Sequence, residues 1–133
     1  MAVSFRHVLP ACVAFVLATA CSDIQSVKYP IRERDGSVVK VTKPYQSAFS
    51  GDPGDRSFKL IQEGKIDQAL SVIRSASESA PSNAGWHYDT AIIFEIQGRW
   101  ADALEEIKFA LRIFPNDSRY REEQAFIVRH MPR

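Results

Sequence analysis

The sequence has little that could carry covalent chemistry. Of its 133 residues only two are cysteine and three are histidine, too few for a disulfide-dense scaffold or a four-thiolate zinc site. Neither sign of charge dominates, since 17 basic side chains face 16 acidic ones. With no basic block, the electrostatic footprint of a nucleic-acid-binding protein is missing. The main apolar run, Val8 to Ala20, has 13 residues and is interrupted by Pro10 and Thr19; a bilayer core of roughly 30 Å needs about 20. There is no phosphate-binding glycine loop, GxSxG elbow, HExxH or paired CxxC. What is present is a composition of 45% hydrophobic and 25% charged residues. That composition excludes wholesale disorder and suits one small domain with extra segments.

The first segment does not read as fold. Arg6 and His7 precede the apolar run, which has the length and flanks of a secretory signal peptide. It ends Leu17-Ala18-Thr19-Ala20-Cys21. This resembles the bacterial lipoprotein signal, in which small residues precede an obligatory cysteine that is lipidated and becomes the mature N-terminus. Ala18 stands where that family most often has leucine. The resemblance implies that residues 1–20 are removed, Cys12 among them, leaving Cys21 as the lipidation site and sole thiol. A lone free thiol in an oxidising envelope is a liability, whereas an acylated one is not. It also implies membrane attachment through a lipid anchor, stable with two or more chains. The protein would face the periplasm. Ser22, where an aspartate would favour inner-membrane retention, points to the outer membrane.

Residues 21–50 then form a lipidated N-terminus followed by a linker or small β-hairpin. Val27–Arg32 and Ser37–Thr42 are rich in β-branched residues, with Arg34-Asp35-Gly36 between them. Asp-Gly is a strong hairpin signal, and Pro30 restricts its run to an edge strand. An isolated hairpin is marginal in water, so an extended tether is the equal alternative. Ser50-Gly51-Asp52-Pro53-Gly54-Asp55 marks the boundary with a domain over 51–133.

That domain repeats itself. An offset of 34 aligns Gly64 with Gly98, Ala69 with Ala103, Ala76 with Ala110 and Pro81 with Pro115. Leu60 aligns with Phe94, Ile66 with Trp100 and Ile73 with Ile107. On this period and these residues the segment resembles the tetratricopeptide repeat, best in 84–117 and less at the start of 50–83, where Pro53 and Arg56 replace apolar residues. The glycines suit the C-terminal end of a first helix, the alanines a close helix crossing, and the prolines the end of a second helix. Asn116-Asp117-Ser118 offers an N-cap for one more helix, 118–130.

The expected fold is therefore all-α, an antiparallel helix-pair solenoid of two repeats and a capping helix. Its helices fall near 54–63, 66–79, 84–97, 100–114 and 118–130. Two repeats are fewer than the three or so normally needed. This leads to the expectation that residues 22–50, or a second copy in a homo-oligomer, cover the open N-terminal face.

No catalytic constellation survives inspection. His87 and His130 are isolated helical histidines, and Asp52 and Asp55 have capping rather than EF-hand spacing. No metal or cofactor is expected, and an enzyme is not. The resemblance instead implies a partner-binding groove lined by the first helix of each pair. Phe58, Ile61 and Gln62 would contribute from the first repeat, Tyr88, Asp89, Ile92 and Glu95 from the second, and Glu122, Glu123, Phe126 and Arg129 from the cap. One subset of the family clamps a terminal carboxylate with basic side chains; here Gly54, Phe58, Asp89, Arg119 and Glu123 hold those places, so the clamp is missing. The groove is suited to an apolar or basic protein segment. The implied function is an envelope adaptor, accessory to a secretion, pilus or outer-membrane machine; the alternative is a self-assembling structural subunit.

Overall fold

The computed structural model describes residues 25–47 and 50–133. The expected signal segment 1–20 and the expected lipidation site, Cys21, lie outside the described residues. Among the described residues no helix is long and apolar enough to cross a membrane.

Two strands, β1 (Ser26–Arg32) and β2 (Val38–Pro44), precede five helices. The helices are α1 (Pro53–Gln62), α2 (Ile66–Ser79), α3 (Ala84–Ile96), α4 (Trp100–Ile113) and α5 (Ser118–His130). Of the two readings open for the segment before the helices, the structure shows the hairpin. β1 and β2 pair antiparallel, with Tyr29 opposite Val41 and Arg32 opposite Val38. The Glu33 N–H donates to Ser37 O at 2.8 Å, and Gly36 turns the chain at φ +86°. Only a residue without Cβ adopts that conformation readily. Asp35 Oδ1 accepts from both the backbone and the hydroxyl of Ser37, and these bonds hold its carboxyl below the usual range.

The 34-residue period reappears in the backbone hydrogen bonds. At the end of α1, Gly64 N–H donates to Ile61 O and Lys65 N–H to Leu60 O. At the end of α3, Gly98 N–H donates to Glu95 O and Arg99 N–H to Phe94 O. Both are Schellman turns, with glycine at positive φ just beyond the cap. The turn delivers the chain straight into the next helix, so α2 and α4 start without a side-chain cap. The other three helices follow loops and are capped: Asp52 accepts from Asp55 N–H, Asn83 from Gly85 N–H and Asp117 from Arg119 N–H. The second helices end at Ser79 and Ile113, and their caps, Ala80 and Phe114, directly precede Pro81 and Pro115, because the residue preceding a proline disfavours helical dihedrals.

Ala69, Ala91, Ala103 and Ala110 are fully buried, as close helix crossing requires. Ile73, Ile92, Ile93, Ile107 and Ile127 fill the remaining core. Val27, Tyr29 and Ile31 of β1, together with Tyr45, join that same cluster. The alternation along β1 explains this: its odd-numbered residues are buried and its even-numbered ones exposed. The hairpin thus buries one face on the helices. It lies across α1, α3 and α5, rather than over the N-terminal end of the stack where cover was expected.

Candidate functional site

The residues expected to line a groove do come together, and the hairpin lies on top of them. α1, α3 and α5 form its floor. At the α1 end, Gln25 Nε2 donates to Asp55 Oδ1 at 3.0 Å, and the Tyr45 and Ser57 hydroxyls are 2.6 Å apart. Asp55 also accepts from Gly51 N–H and pairs with Lys59. Those partners, the Gly51 backbone first, hold its carboxyl below the usual range. Gly54 allows the connecting chain to approach, since a Cβ there would stand 1.9 Å from Gln46 O.

In the middle, α3 offers two buried carboxyls. Asp89 accepts the Gln46 backbone N–H at 2.9 Å, and the Tyr29 hydroxyl donates to Glu95. Burial pushes both acids up, Asp89 well above the ordinary value and Glu95 to about 9, with the neighbouring Glu123 adding to the Glu95 shift. Glu95 therefore carries its proton at neutral pH. Asp89 Oδ2 has no hydrogen-bond partner, whereas the protonated Glu95 also bonds the Glu123 carboxyl. Burial beside these acids also pushes the Tyr29, Tyr45 and Tyr88 hydroxyls up, so all three remain protonated.

On α5, Glu123 Oε1 meets Lys43 Nζ of β2 at 2.7 Å. The same ammonium sits 3.3 Å from the centre of the Phe126 ring, a cation–π contact in a partly desolvated place. The Tyr88 hydroxyl reaches the other Glu123 oxygen at 3.4 Å. At the hairpin tip, the Glu33 carboxylate lies 3.0 Å from His130 Nε2, and Arg34 reaches Met131 O.

Of the expected groove residues, Tyr88, Asp89, Ile92 and Glu95 are buried under this cover. Phe58, Ile61 and Gln62 remain at the rim, lining an opening with Ser26, Val27 and Lys28 of β1. Phe126 and Arg129 line a second opening of about 400 Å³, beside Lys43, Tyr88, Arg119 and Glu122. Sequence reasoning missed Tyr29, Lys43, Tyr45, Gln46 and the His130–Glu33 contact. Alternation of Val27, Tyr29 and Ile31, opposite Val41 and Lys43, was the available signal that one hairpin face is covered.

The other histidine, His87, stacks on Phe109 with ring centres 4.2 Å apart, its Nδ1 2.8 Å from Glu106. No group of three or more potential metal ligands occurs among the described residues. The face beneath the hairpin is equipped with carboxyl acceptors, tyrosine hydroxyls and an aromatic ring. Such groups recognise hydrogen-bond donors and cations. Residues 60–125 match the family model described as tetratricopeptide repeat. No curated protein matches the chain. The glycine turns, buried alanines and terminating prolines fall within this match, so the helical segment from residue 60 to residue 125 is similar to the tetratricopeptide repeat.

Proposed function

We propose that this chain is a protein-interaction adaptor of the bacterial envelope, held at the membrane by lipid on Cys21. In this reading α1 to α5 form a short solenoid whose first-helix face receives a partner. The observation that carries it is the face itself, where an extended segment already lies across α1, α3 and α5 through side-chain and backbone bonds. Repeats of this family present such faces to protein segments, and the acidic floor suits one with basic or apolar side chains. A role in assembling a secretion, pilus or outer-membrane machine follows by analogy of fold.

The test is a pull-down from detergent-solubilised envelope with tagged wild type beside a Glu122→Lys/Arg129→Glu variant, both positions being exposed. A partner retained by wild type and lost by the variant supports the adaptor. Incorporation of labelled palmitate, abolished by Cys21→Ala, tests the anchor. A second reading, a self-assembling subunit, is favoured by the exposed Phe114 and Val128 at 55% and 51% accessibility. Concentration-dependent mass in light scattering, lost on Phe114→Ser/Val128→Ser, would establish that version.

A further inference from the structure

The adaptor reading leaves open what the acidic face recognises, and the inference here rests on that reading. The clue is the environment of one side chain. Lys43 Nζ is held by a carboxylate at 2.7 Å and capped by an aromatic ring at 3.3 Å. Phe126 is itself fixed, tilted against His130 at 4.2 Å and Trp100 at 6.3 Å. Glu123 is only 4% exposed and is steadied by the Tyr88 hydroxyl. Carboxylate, ring face and hydroxyl together make a receptor for an ammonium group. It opens to solvent through the 400 Å³ cavity beside it.

A second observation bears on the same face. Asp89 Oδ2 is buried without a partner, next to the oxygen that accepts the Gln46 N–H just beyond the hairpin. Buried polar atoms are nearly always satisfied, so the floor offers a polar atom that its present occupant does not fill. A segment with the hairpin's shape, a lysine at the Lys43 place and an additional polar group facing Asp89 would match the face better than the hairpin does.

We propose that Glu123, Phe126 and Tyr88 form a lysine-recognition subsite that the chain fills with its own Lys43. The hairpin is then an internal ligand, and an extended lysine-bearing protein segment binds by displacing it. Apparent affinity for such a segment falls with the fraction of molecules whose hairpin is lifted. Wild type therefore binds weakly, and loosening the hairpin reveals the site.

The probe is a fluorescein-labelled synthetic peptide with the sequence of residues 25–47, titrated into the full chain and read by anisotropy. A Tyr29→Ser/Ile31→Ser chain, with helicity checked by circular dichroism, is expected to bind at least tenfold more tightly than wild type. Adding Glu123→Gln, or replacing Lys43 of the peptide by methionine, is expected to remove at least tenfold of that gain. If the double variant loses its helices, Lys43→Met in the full chain replaces it, because this removes only the ammonium and spares the apolar inner face. A folded, loosened chain that ignores the peptide overturns the internal-ligand proposal. Binding indifferent to both Glu123 and the peptide's Lys43 overturns the subsite. Should the peptide fail while the envelope pull-down still retains a partner, this inference falls and the adaptor reading stands.

Discussion

α1 and α3 hold the same place in the two repeats, yet they live in different solvents. Three of the ten residues of α1 are buried, against eleven of the thirteen of α3. The shared period gives them the same glycine-ended turn, while α1 carries Asp55, Arg56 and Lys59 where α3 is largely apolar. Position fits that difference. α3 packs on α2 and α4 and is roofed by β1, while α1 has α2 and the hairpin edge. A helix enclosed on all sides loses its polar stripe, and each polar group left on it must then find a partner. In α3 these groups are His87, Asp89, Thr90 and Glu95. Two of the four, Asp89 and Glu95, find theirs on the hairpin segment. The repeat sets helix geometry, and the stack decides what each helix face is for.

The contrast can be broken most severely in the core. Ile92→Ala, at a fully buried site, is expected to cost about 2–5 kcal/mol. Ile61→Ala, at the half-buried rim of α1, is expected to cost less than half as much by urea denaturation. Next comes the connection between hairpin and helices. Gly54→Ala places a methyl against Gln46 O and is expected to cost about 1–3 kcal/mol as the backbone shifts. Gly85→Ala, whose nearest neighbours are movable side-chain ends, is the milder comparison.

The buried acids of α3 predict a pH dependence that α1 does not share. Glu95 holds its proton to about pH 9 in the folded chain, and its unfolded counterpart releases it near 4.5. Between these values the folded state binds more protons, so stability falls as pH rises, by at most about 1.4 kcal/mol per pH unit for one such group. Asp89 acts in the same direction. Asp55 on α1 is depressed instead, and its contribution is lost as pH falls through its folded value. Urea midpoints measured from pH 5 to 9 are expected to decline, and Glu95→Gln to flatten the decline. The smallest effect concerns caps. Asp117→Ala removes a bonded N-cap and is expected to cost about 1 kcal/mol. Lys65→Ala, at an α2 start with no side-chain cap bond, is expected to leave the urea midpoint near its wild-type value.

Most of the helical architecture was legible, because its signals are local. Gly64 and Gly98 require positive φ, Pro81 and Pro115 end helices, and Asp117 caps one. Each acts within a few residues of itself, and the helix limits follow to within about a residue. The groove residues were also placed on one face, since spacing along α1, α3 and α5 fixes which side they occupy. Their cover was not legible. Lys43 meets Glu123 across 80 residues of sequence and Tyr29 meets Glu95 across 66. The alternation of Val27, Tyr29 and Ile31 says that a face is buried and does not say against what. Pro53 looked out of place in a first helix, and it sits at the first helical turn, where a missing N–H is harmless.

Stacked repeats contact only their neighbours, so they ordinarily fray from either end one unit at a time. The hairpin changes that arithmetic. It is bonded to α1 through Gln25 and Tyr45, to α3 through Tyr29, and to α5 through Lys43 and Glu33. The first and last helices, which share no neighbour in the stack, are joined by one strap. Loss of α5 would release the strap and expose α1 as well, so the chain is expected to melt in a single step where an open array of this length would unzip.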